Sequence, residues 1–180
     1  MTLRIIAISG SLRAASPNTG LIRFAHKNLP EGMELTTVNI ADIPFYNADL
    51  KEKPAAVIAF LEALKSTDGF LFATPEYNYS YAPALKNALD WASRETVSVL
   101  QGKAVALMGA AGGMGSSRAQ YHLRQVLVYL DLRPLNRPEV FANAYAGTFD
   151  IDGNLTDSTI GDNVKALLIA LKESILQLKK

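Results

Sequence analysis

Three short runs of uninterrupted apolar residues constrain the fold of this chain more than any other feature. They cover residues 5–8, 70–73 and 105–108. Strands that are apolar on both faces are typical of the middle of a parallel sheet, where helices cover both sides. The runs are too short for ordinary helices. The sequence therefore predicts an α/β fold built on a central parallel sheet.

Two further strands are predicted at the outside of this sheet. Residues 35–40 alternate between apolar and polar side chains, as an outer strand does. Residues 135–141 are assigned to an edge strand, because Pro134 and Pro138 lack the N–H groups that a central strand needs. Right-handed crossovers then favour a doubly wound five-stranded parallel sheet in the order 2-1-3-4-5, with helices on both faces.

Apolar side chains recur at helical spacing between the strands, and each stripe is expected to face the core. The stripes are Leu21, Ile22, Ala25 and Leu29; Val57, Ile58, Leu61 and Leu64; Leu85, Ala88, Leu89 and Ala92; Leu123, Val126, Leu127 and Leu130; and Val164, Leu167, Leu168, Leu171, Ile175 and Leu178.

Composition excludes several classes of function. A length of 180 residues predicts a single domain, residues 1–180, and a net charge of +1 argues against general nucleic-acid binding. The chain has no cysteine, which removes thiol nucleophiles and cysteine-based metal sites. Its acidic residues show no metal-ligand spacing, so no metal is expected. Without a signal peptide or a membrane-spanning apolar run, a cytoplasmic protein without membrane insertion is expected.

The polar segment from residue 10 to residue 19 follows the first strand and leads into a helix. It contains Arg13 and several hydroxyl side chains but no acidic group, and Ser16-Pro17 is a good helix start. Free N–H groups and the positive end of the helix dipole make such a turn a phosphate site. The alternative is an ordinary polar turn with good capping residues.

Two further loops are expected at the same sheet edge, beyond the carboxyl ends of the strands. Residues 74–83 are rich in aromatic and amide groups, which suits a flat heteroaromatic ring, although the tyrosines could instead pack on the body or on another subunit. Residues 109–118 are rich in glycine, which lets the backbone approach a ligand or act as a hinge.

The known nucleotide motifs do not fit these loops. The glycines of residues 109–118 lack the G-x-G-x-x-G spacing, and residues 10–19 lack the glycine and Lys-Ser/Thr pair of a Walker A motif. No G-x-S-x-G segment exposes a nucleophile. A ring-bearing monophosphate is the ligand that these loops fit best.

Two of the loops resemble those of a known family, the NADPH-dependent FMN reductases, which include chromate and quinone reductases. Gly10-Ser11-Leu12-Arg13, with Ser16 and Asn18, is similar to the phosphate loop of that family. Thr74-Pro75-Glu76-Tyr77-Asn78-Tyr79-Ser80, with the helix from Leu85 to Arg94, resembles its second loop more closely. The resemblance extends from residue 1 to beyond residue 140.

The resemblance implies a flavodoxin-like fold that binds FMN. The residues that it assigns to the phosphate are Ser11, Arg13, Ser16, Asn18 and Thr19. Those that it assigns to the isoalloxazine are Pro75, Glu76, Tyr77, Asn78 and Tyr79 on one side and Gly112, Gly113 and Ser117 on the other. It also implies a homodimer or homotetramer.

The implied activity is ping-pong transfer of electrons from NADPH or NADH through FMN to small-molecule acceptors such as quinones or chromate. No protein side chain is expected to act as a catalytic acid or base, because the cofactor carries the chemistry. Two alternatives stay open. One is a flavodoxin-type electron carrier, and the other is a regulatory or structural module that binds a different phosphorylated ligand.

Overall fold

The computed structural model describes residues 2–180, in which strands and helices alternate along the chain. In order, the elements are β1 (Leu3–Ser9), α1 (Pro17–Lys27), β2 (Met33–Thr37), α2 (Ala55–Lys65), β3 (Gly69–Ala73), β4 (Glu76–Tyr77), β5 (Ser80–Tyr81), α3 (Pro83–Ala92), β6 (Ala104–Ala111), α4 (Ser117–Tyr129), β7 (Arg133–Pro134), β8 (Val140–Asn143) and α5 (Ser158–Leu178).

The main sheet is parallel and has the strand order β2-β1-β3-β6-β7, with β8 also paired to β6. The register runs from Ile5 opposite Gly69 to Phe70 opposite Val105 across the centre of the sheet. All five residues of β3 are buried, because helices cover both faces of the sheet. The predicted doubly wound order is thus confirmed, with β7 and β8 together in the place of the fifth strand.

The predicted edge strand at residues 135–141 is wrong in its bounds. Pairing with β6 stops at Pro134 and resumes at Val140, so the edge consists of two short strands. Pro138 falls between them and has no N–H to donate to the sheet, which explains the interruption. The predicted strand at residues 35–40 is shifted as well, since β2 begins at Met33 and ends at Thr37.

Two hydrophobic cores lie on opposite faces of the sheet. Side chains of α2, α3 and α4 fill one of them, and side chains of α1 and α5 fill the other. Most of the predicted apolar stripes face these cores, but Ile58 and Leu178 are about half exposed. Ile58 directly follows Val57, whose side chain points into the core, and it lies at the border of the apolar face.

Within residues 2–180, no helix has the length and apolar character needed to cross a membrane. The same part of the chain contains no group of three or more acidic or histidine side chains that could hold a metal ion.

Candidate active site

A cleft of about 340 Å³ lies at the carboxyl edge of the sheet. The turns that follow β1, β3 and β6 meet there, as expected for a doubly wound sheet. A fourth segment, residues 144–155, closes one side, and we call it the strap. The lining residues are Ser11, Arg13, Ala15, Ser16, Pro17, Asn18, Pro75, Glu76, Tyr77, Ala110, Ala111, Gly112, Ala144, Tyr145, Phe149, Asp150, Ile151 and Gly153.

The turn after β1 presents hydrogen-bond donors at one end of the cleft. Ser16 caps α1, since its Oγ accepts from the backbone N–H groups of Asn18 (3.2 Å) and Thr19 (3.4 Å). In the part of the chain that the structure describes, the backbone N–H groups of residues 12–15 make no hydrogen bond, and Arg13 and Ala15 of this turn line the cleft. Arg13 adds a guanidinium, whose Nη2 lies 2.9 Å from the carbonyl oxygen of Ala15. These groups make the turn a candidate anion site at the positive end of a helix.

Two of the residues predicted for the phosphate, Asn18 and Thr19, hold the turn in place with their side chains. The side-chain amide of Asn18 is buried and bonds Ala110 twice, donating to its carbonyl oxygen and accepting from its N–H, both at 2.9 Å. Asn18 therefore ties α1 to the end of β6. Thr19 does not line the cleft, because its Oγ1 donates to Ser9 Oγ at 3.1 Å on the other side of the turn.

The turn after β3, where the sequence predicts a loop, contains a short hairpin. Asn78 and Tyr79 connect β4 to β5 with φ angles of 49° and 68°, the left-handed pair of a type I′ turn. Both residues lie at the exposed tip, outside the cleft, and the Tyr79 ring stacks on the Arg118 guanidinium at 3.7 Å. Pro75, Glu76 and Tyr77, at the base, line the cleft as predicted.

The Glu76 carboxylate joins this hairpin to the start of α4. Its Oε2 accepts from the backbone N–H groups of Arg118 (3.2 Å) and Ala119 (3.3 Å), and its Oε1 accepts from Arg118 Nε (2.5 Å). The Glu76 side chain is only 6% exposed. The Ser116 side chain makes no capping bond to α4, so the carboxylate supplies the cap from another loop.

The glycine-rich turn after β6 contributes less of its length to the cleft than expected. Gly112 lines the cleft, and a Cβ built on it would meet nothing within 4 Å, so the wall there is open to a ligand. Gly113 is not one of the described residues that line the cleft. Ser117 instead lines a small separate hollow beside Tyr79 and Arg118.

The strap is the part of the site that the sequence analysis missed. It brings Phe149 and Gly153 into the cleft and leaves Tyr145 and Ile151 at its mouth, 85% and 93% exposed. No apolar periodicity marks this segment, which is why pattern analysis passes over it. A sequence signal for it was the cluster Asp150-Ile151-Asp152-Gly153-Asn154, whose turn-forming residues lie between the apolar residues Phe149 and Leu155.

The Asp150 carboxylate, which lines the cleft, accepts its hydrogen bonds from within the strap. Its Oδ1 accepts from the backbone N–H groups of Asp152 (3.0 Å) and Asn154 (2.7 Å), and its Oδ2 accepts from Asn154 Nδ2 (3.0 Å). The hydrogen bonds from Asn154 are the main cause that lowers the pKa of this carboxyl.

A larger hollow of about 610 Å³ lies between α3 and α4. Two of its charged groups, Lys86 and Asp90, already form an ion pair at 2.6 Å. Among residues 2–180, the turns after β1 and β6 line the cleft and not this hollow. We therefore assign the candidate active site to the cleft.

Comparison with known proteins gives concordant matches over nearly the whole chain. A family model described as NADPH-dependent FMN reductase matches residues 3–147. A probable NADPH:quinone oxidoreductase of Oryza sativa subsp. japonica is 46% identical, with 98% of this chain and 91% of that protein covered. An NAD(P)H-dependent FMN reductase of Pseudomonas aeruginosa is 44% identical, with 98% and 97% covered.

Among solved structures, this fold is similar to that of FerB, a flavoenzyme NAD(P)H:(acceptor) oxidoreductase from Paracoccus denitrificans. The two structures superpose with a TM-score of 0.88 at 30% sequence identity. The alignment covers 98% of each chain.

Proposed function

The chain belongs to the NADPH-dependent FMN reductase family, and on this basis we propose that it is an NAD(P)H-dependent, FMN-containing quinone oxidoreductase. The observation that carries the proposal is the set of unpaired backbone donors of residues 12–15 at the head of α1, beside Arg13 and opposite an apolar wall. A ligand with a dianionic phosphate at one end and a flat ring at the other matches this cleft. The phosphate suits the backbone donors, and the ring suits the apolar wall.

The residues of the turn after β1 fit the FMN phosphate. Ser11, Arg13 and the backbone donors of residues 12–15 supply the hydrogen bonds, and Ser16 orients them by capping α1. Asn18 and Thr19 act indirectly, by fixing this turn against Ala110 and Ser9. The Asp150 carboxylate is occupied by donors of its own loop, which limits its repulsion of the phosphate.

The isoalloxazine is proposed to lie between the turns after β3 and β6. Pro75, Glu76 and Tyr77 form one wall, and Gly112 belongs to the other. Asn78, Tyr79, Gly113 and Ser117, which the resemblance also assigns to this ring, lie beyond the lining of the cleft. Tyr79 and Ser117 meet at a neighbouring hollow with Arg118, so their effect on the ring passes through the position of the hairpin.

The chemistry that bound FMN supplies is acceptance of a hydride from NAD(P)H and delivery of two electrons to an acceptor. Overall, NAD(P)H and one proton reduce a quinone to its hydroquinone. The chain's own part is to orient the two substrates and to limit the access of water. Since both substrates use the same face of one cleft, the oxidised nucleotide leaves before the acceptor binds, which is a ping-pong scheme.

Quinones are the proposed acceptors, because two of the relatives compared above are named for quinone or acceptor reduction. Chromate is a second candidate, which the sequence resemblance suggested. The rim of the cleft favours the quinones, since the exposed side chains of Tyr77, Tyr145 and Ile151 offer an apolar surface to a planar molecule.

The proposed assembly is a homodimer or homotetramer. Exposed aromatic and apolar side chains cover one face of α4, where Tyr121, Val128 and Tyr129 are each more than 60% exposed. Tyr77 and Tyr79 of the hairpin add to this surface. Sedimentation velocity at several protein concentrations measures the assembly directly, and a monomer at all of them would refute it.

The test of function is an anaerobic titration of the FMN-reconstituted protein with NADPH and, in parallel, with NADH. We expect the absorbance bands of the oxidised flavin to bleach at stoichiometric nucleotide and to return when a quinone is added. Initial rates at varied concentrations of both substrates should then give parallel double-reciprocal plots, as a ping-pong scheme requires.

Two outcomes would refute this assignment in different ways. Bound flavin that stays oxidised after addition of either nucleotide would identify an electron carrier reduced by a partner protein. Failure to bind FMN at all would mean that the cleft serves another phosphorylated ligand.

A further inference from the structure

The strap packs so closely on helix α1 that the contact leaves no room for a side chain. A Cβ built on Gly20, in the second turn of α1, would lie 1.7 Å from the carbonyl oxygen of Gly153. Gly153 has a φ of 74°, and a Cβ built on it would lie 2.8 Å from the Ala15 carbonyl oxygen. Two glycines therefore allow the strap to rest directly on the backbone of the phosphate turn.

Arg23 holds the strap in this position from the next turn of α1. Its Nε donates to Asn154 Oδ1 at 2.7 Å, and its Nη2 donates to the Asp152 carbonyl oxygen at 2.9 Å. A planar guanidinium that bonds two points of one loop fixes both its distance and its direction. Arg23 is not one of the described residues that line the cleft, so any effect of Arg23 on a ligand in the cleft is indirect.

The strap is also ordered internally, so that it moves as a unit. Phe149 and Leu155 form an isolated antiparallel bridge, and the Asp150 carboxylate bonds the turn between them. At its start, the Ala144 N–H donates to the Ala111 carbonyl oxygen at 2.7 Å, which extends the line of β8 along β6. Phe149 and Leu155 also pack against the core on this face of the sheet, so the contacts with α1 act together with that packing to hold this side of the cleft.

We infer that the strap keeps FMN in the cleft as a resident cofactor, and that Arg23 is the positioning residue that holds it closed. The inference rests on the proposed function. Residues of the turn after β1 and of the strap line this end of the cleft together, so separation of the two segments would widen the way out for a ligand bound there. A protein that exchanged FMN as a substrate would need this side to open easily.

The experiment measures the dissociation rate of FMN from the reconstituted protein by the rise of free-flavin fluorescence after dilution. In the variant Arg23→Met, which keeps an apolar stem but loses both hydrogen bonds, we expect dissociation to be at least about tenfold faster. A second variant, Asn154→Ala, removes one of the two acceptors and should raise the rate by a smaller factor.

Arg124→Met is the matched control. Arg124 also bonds a loop carbonyl and an asparagine oxygen, with Nη2 2.7 Å from the Leu135 carbonyl oxygen and Nη1 3.5 Å from Asn136 Oδ1. That loop lies outside the cleft lining. The control should leave the FMN dissociation rate unchanged. The melting temperatures of the apoproteins show whether the variants are destabilised to the same extent.

The outcomes separate the two proposals. Wild-type protein that retains FMN, with dissociation rates unchanged in Arg23→Met and Asn154→Ala, would overturn the role of the strap and leave the proposed function standing. Equal acceleration in Arg124→Met would also overturn it, since the effect would then be general. Wild-type protein that does not bind FMN would instead overturn the proposed function, and this inference with it.

Discussion

Arg13 is the one cationic side chain that lines the cleft within residues 2–180. It lies in the turn whose backbone donors are unpaired, so its charge adds to the field of the α1 N-terminus. At the scale of single residues, it is the group whose loss should matter most for a phosphate and least for the fold, because it is exposed and makes one hydrogen bond to its own turn.

We expect Arg13→Ala to weaken FMN binding by about 1–3 kcal/mol, the range for losing a charge-assisted hydrogen bond. The measurement is the FMN dissociation constant by fluorescence quenching. Arg137→Ala, which removes an arginine that is largely exposed and paired with Glu139, is the control and should bind FMN as the wild type does. An unchanged constant in Arg13→Ala would remove this residue from the phosphate site.

Glu76 gives a second prediction at this scale, because its carboxylate caps α4 from another loop. Glu76→Gln leaves the Arg118 guanidinium and two backbone N–H groups with a neutral, poorer partner, so we expect a loss of about 1–3 kcal/mol in the free energy of unfolding. Chemical denaturation measures it. Glu62→Gln, at an exposed ion pair on α2, should change little. Equal losses in both variants would contradict a special role for Glu76.

At the scale of elements, the packing of the strap on α1 requires a glycine at residue 20, which helix propensity alone would not predict. Alanine is ordinarily preferred over glycine inside a helix by about 1 kcal/mol. At Gly20, which lies in α1, the added methyl group would overlap the Gly153 carbonyl. The packing cost therefore opposes the gain in helix propensity.

We expect Gly20→Ala to destabilise the protein by about 1–3 kcal/mol, as overpacking does. Gly161→Ala in α5 is the matched comparison, since there the added Cβ would meet the far end of the Phe24 ring, a side chain that can shift. That variant should be neutral or stabilising. Thermal unfolding of the two variants decides the matter, and a stabilised Gly20→Ala protein would show that the strap does not rest on α1 in solution.

Elements also differ in how far the sequence determines them. The strands at residues 5–8, 70–73 and 105–108 were predictable because burial on both faces demands continuous apolar residues. The hairpin at residues 76–81 was not, because its turn uses Asn78-Tyr79 in place of the Asn-Gly pair that marks a type I′ turn. The strap was missed because its hydrogen bonds with Arg23 and its close contact with Gly20 involve residues more than 120 positions away in sequence.

At the scale of the whole molecule, the two hydrophobic cores lie on opposite faces of one sheet and share its strands. Phe70 and Phe72 of β3 face one core, while Leu71 and Ala73 of the same strand face the other. Since neither core can lose the sheet without exposing the second, the two should unfold together. That residues 1–180 form one domain stays a prediction, and coincident unfolding curves by fluorescence and circular dichroism would support it.

The contact of α5 with the opposite edge of the sheet predicts how acid acts on the molecule. Burial alone would raise the pKa of Asp68, but hydrogen bonds from Lys179 Nζ and the Arg4 N–H, each 2.7 Å long, outweigh it and leave the pKa below its ordinary value. A lowered pKa in the folded state stabilises the protein above the ordinary pKa. This stability is lost as the pH falls through the lowered pKa.

We therefore expect Asp68→Asn to be less stable than the wild type at neutral pH and to approach it in stability at an acid pH below the lowered pKa, where the carboxyl is protonated in both states. Urea unfolding at both pH values measures this difference. Glu62→Gln again serves as the control and should run parallel to the wild type. A difference that stays constant between the two pH values would assign the loss to packing rather than to the charge of Asp68.

The strap also bears on the order of events during synthesis on the ribosome. The phosphate turn at residues 11–16 is made early, but the segment that encloses it, residues 144–155, follows more than 120 residues later. A nascent chain that has folded β1 and α1 can offer donors to a phosphate, yet it has no means to hold the ligand. If the strap retains FMN as inferred above, stable loading of the flavin waits until the strap has emerged, so it comes late in synthesis although the donors are made first.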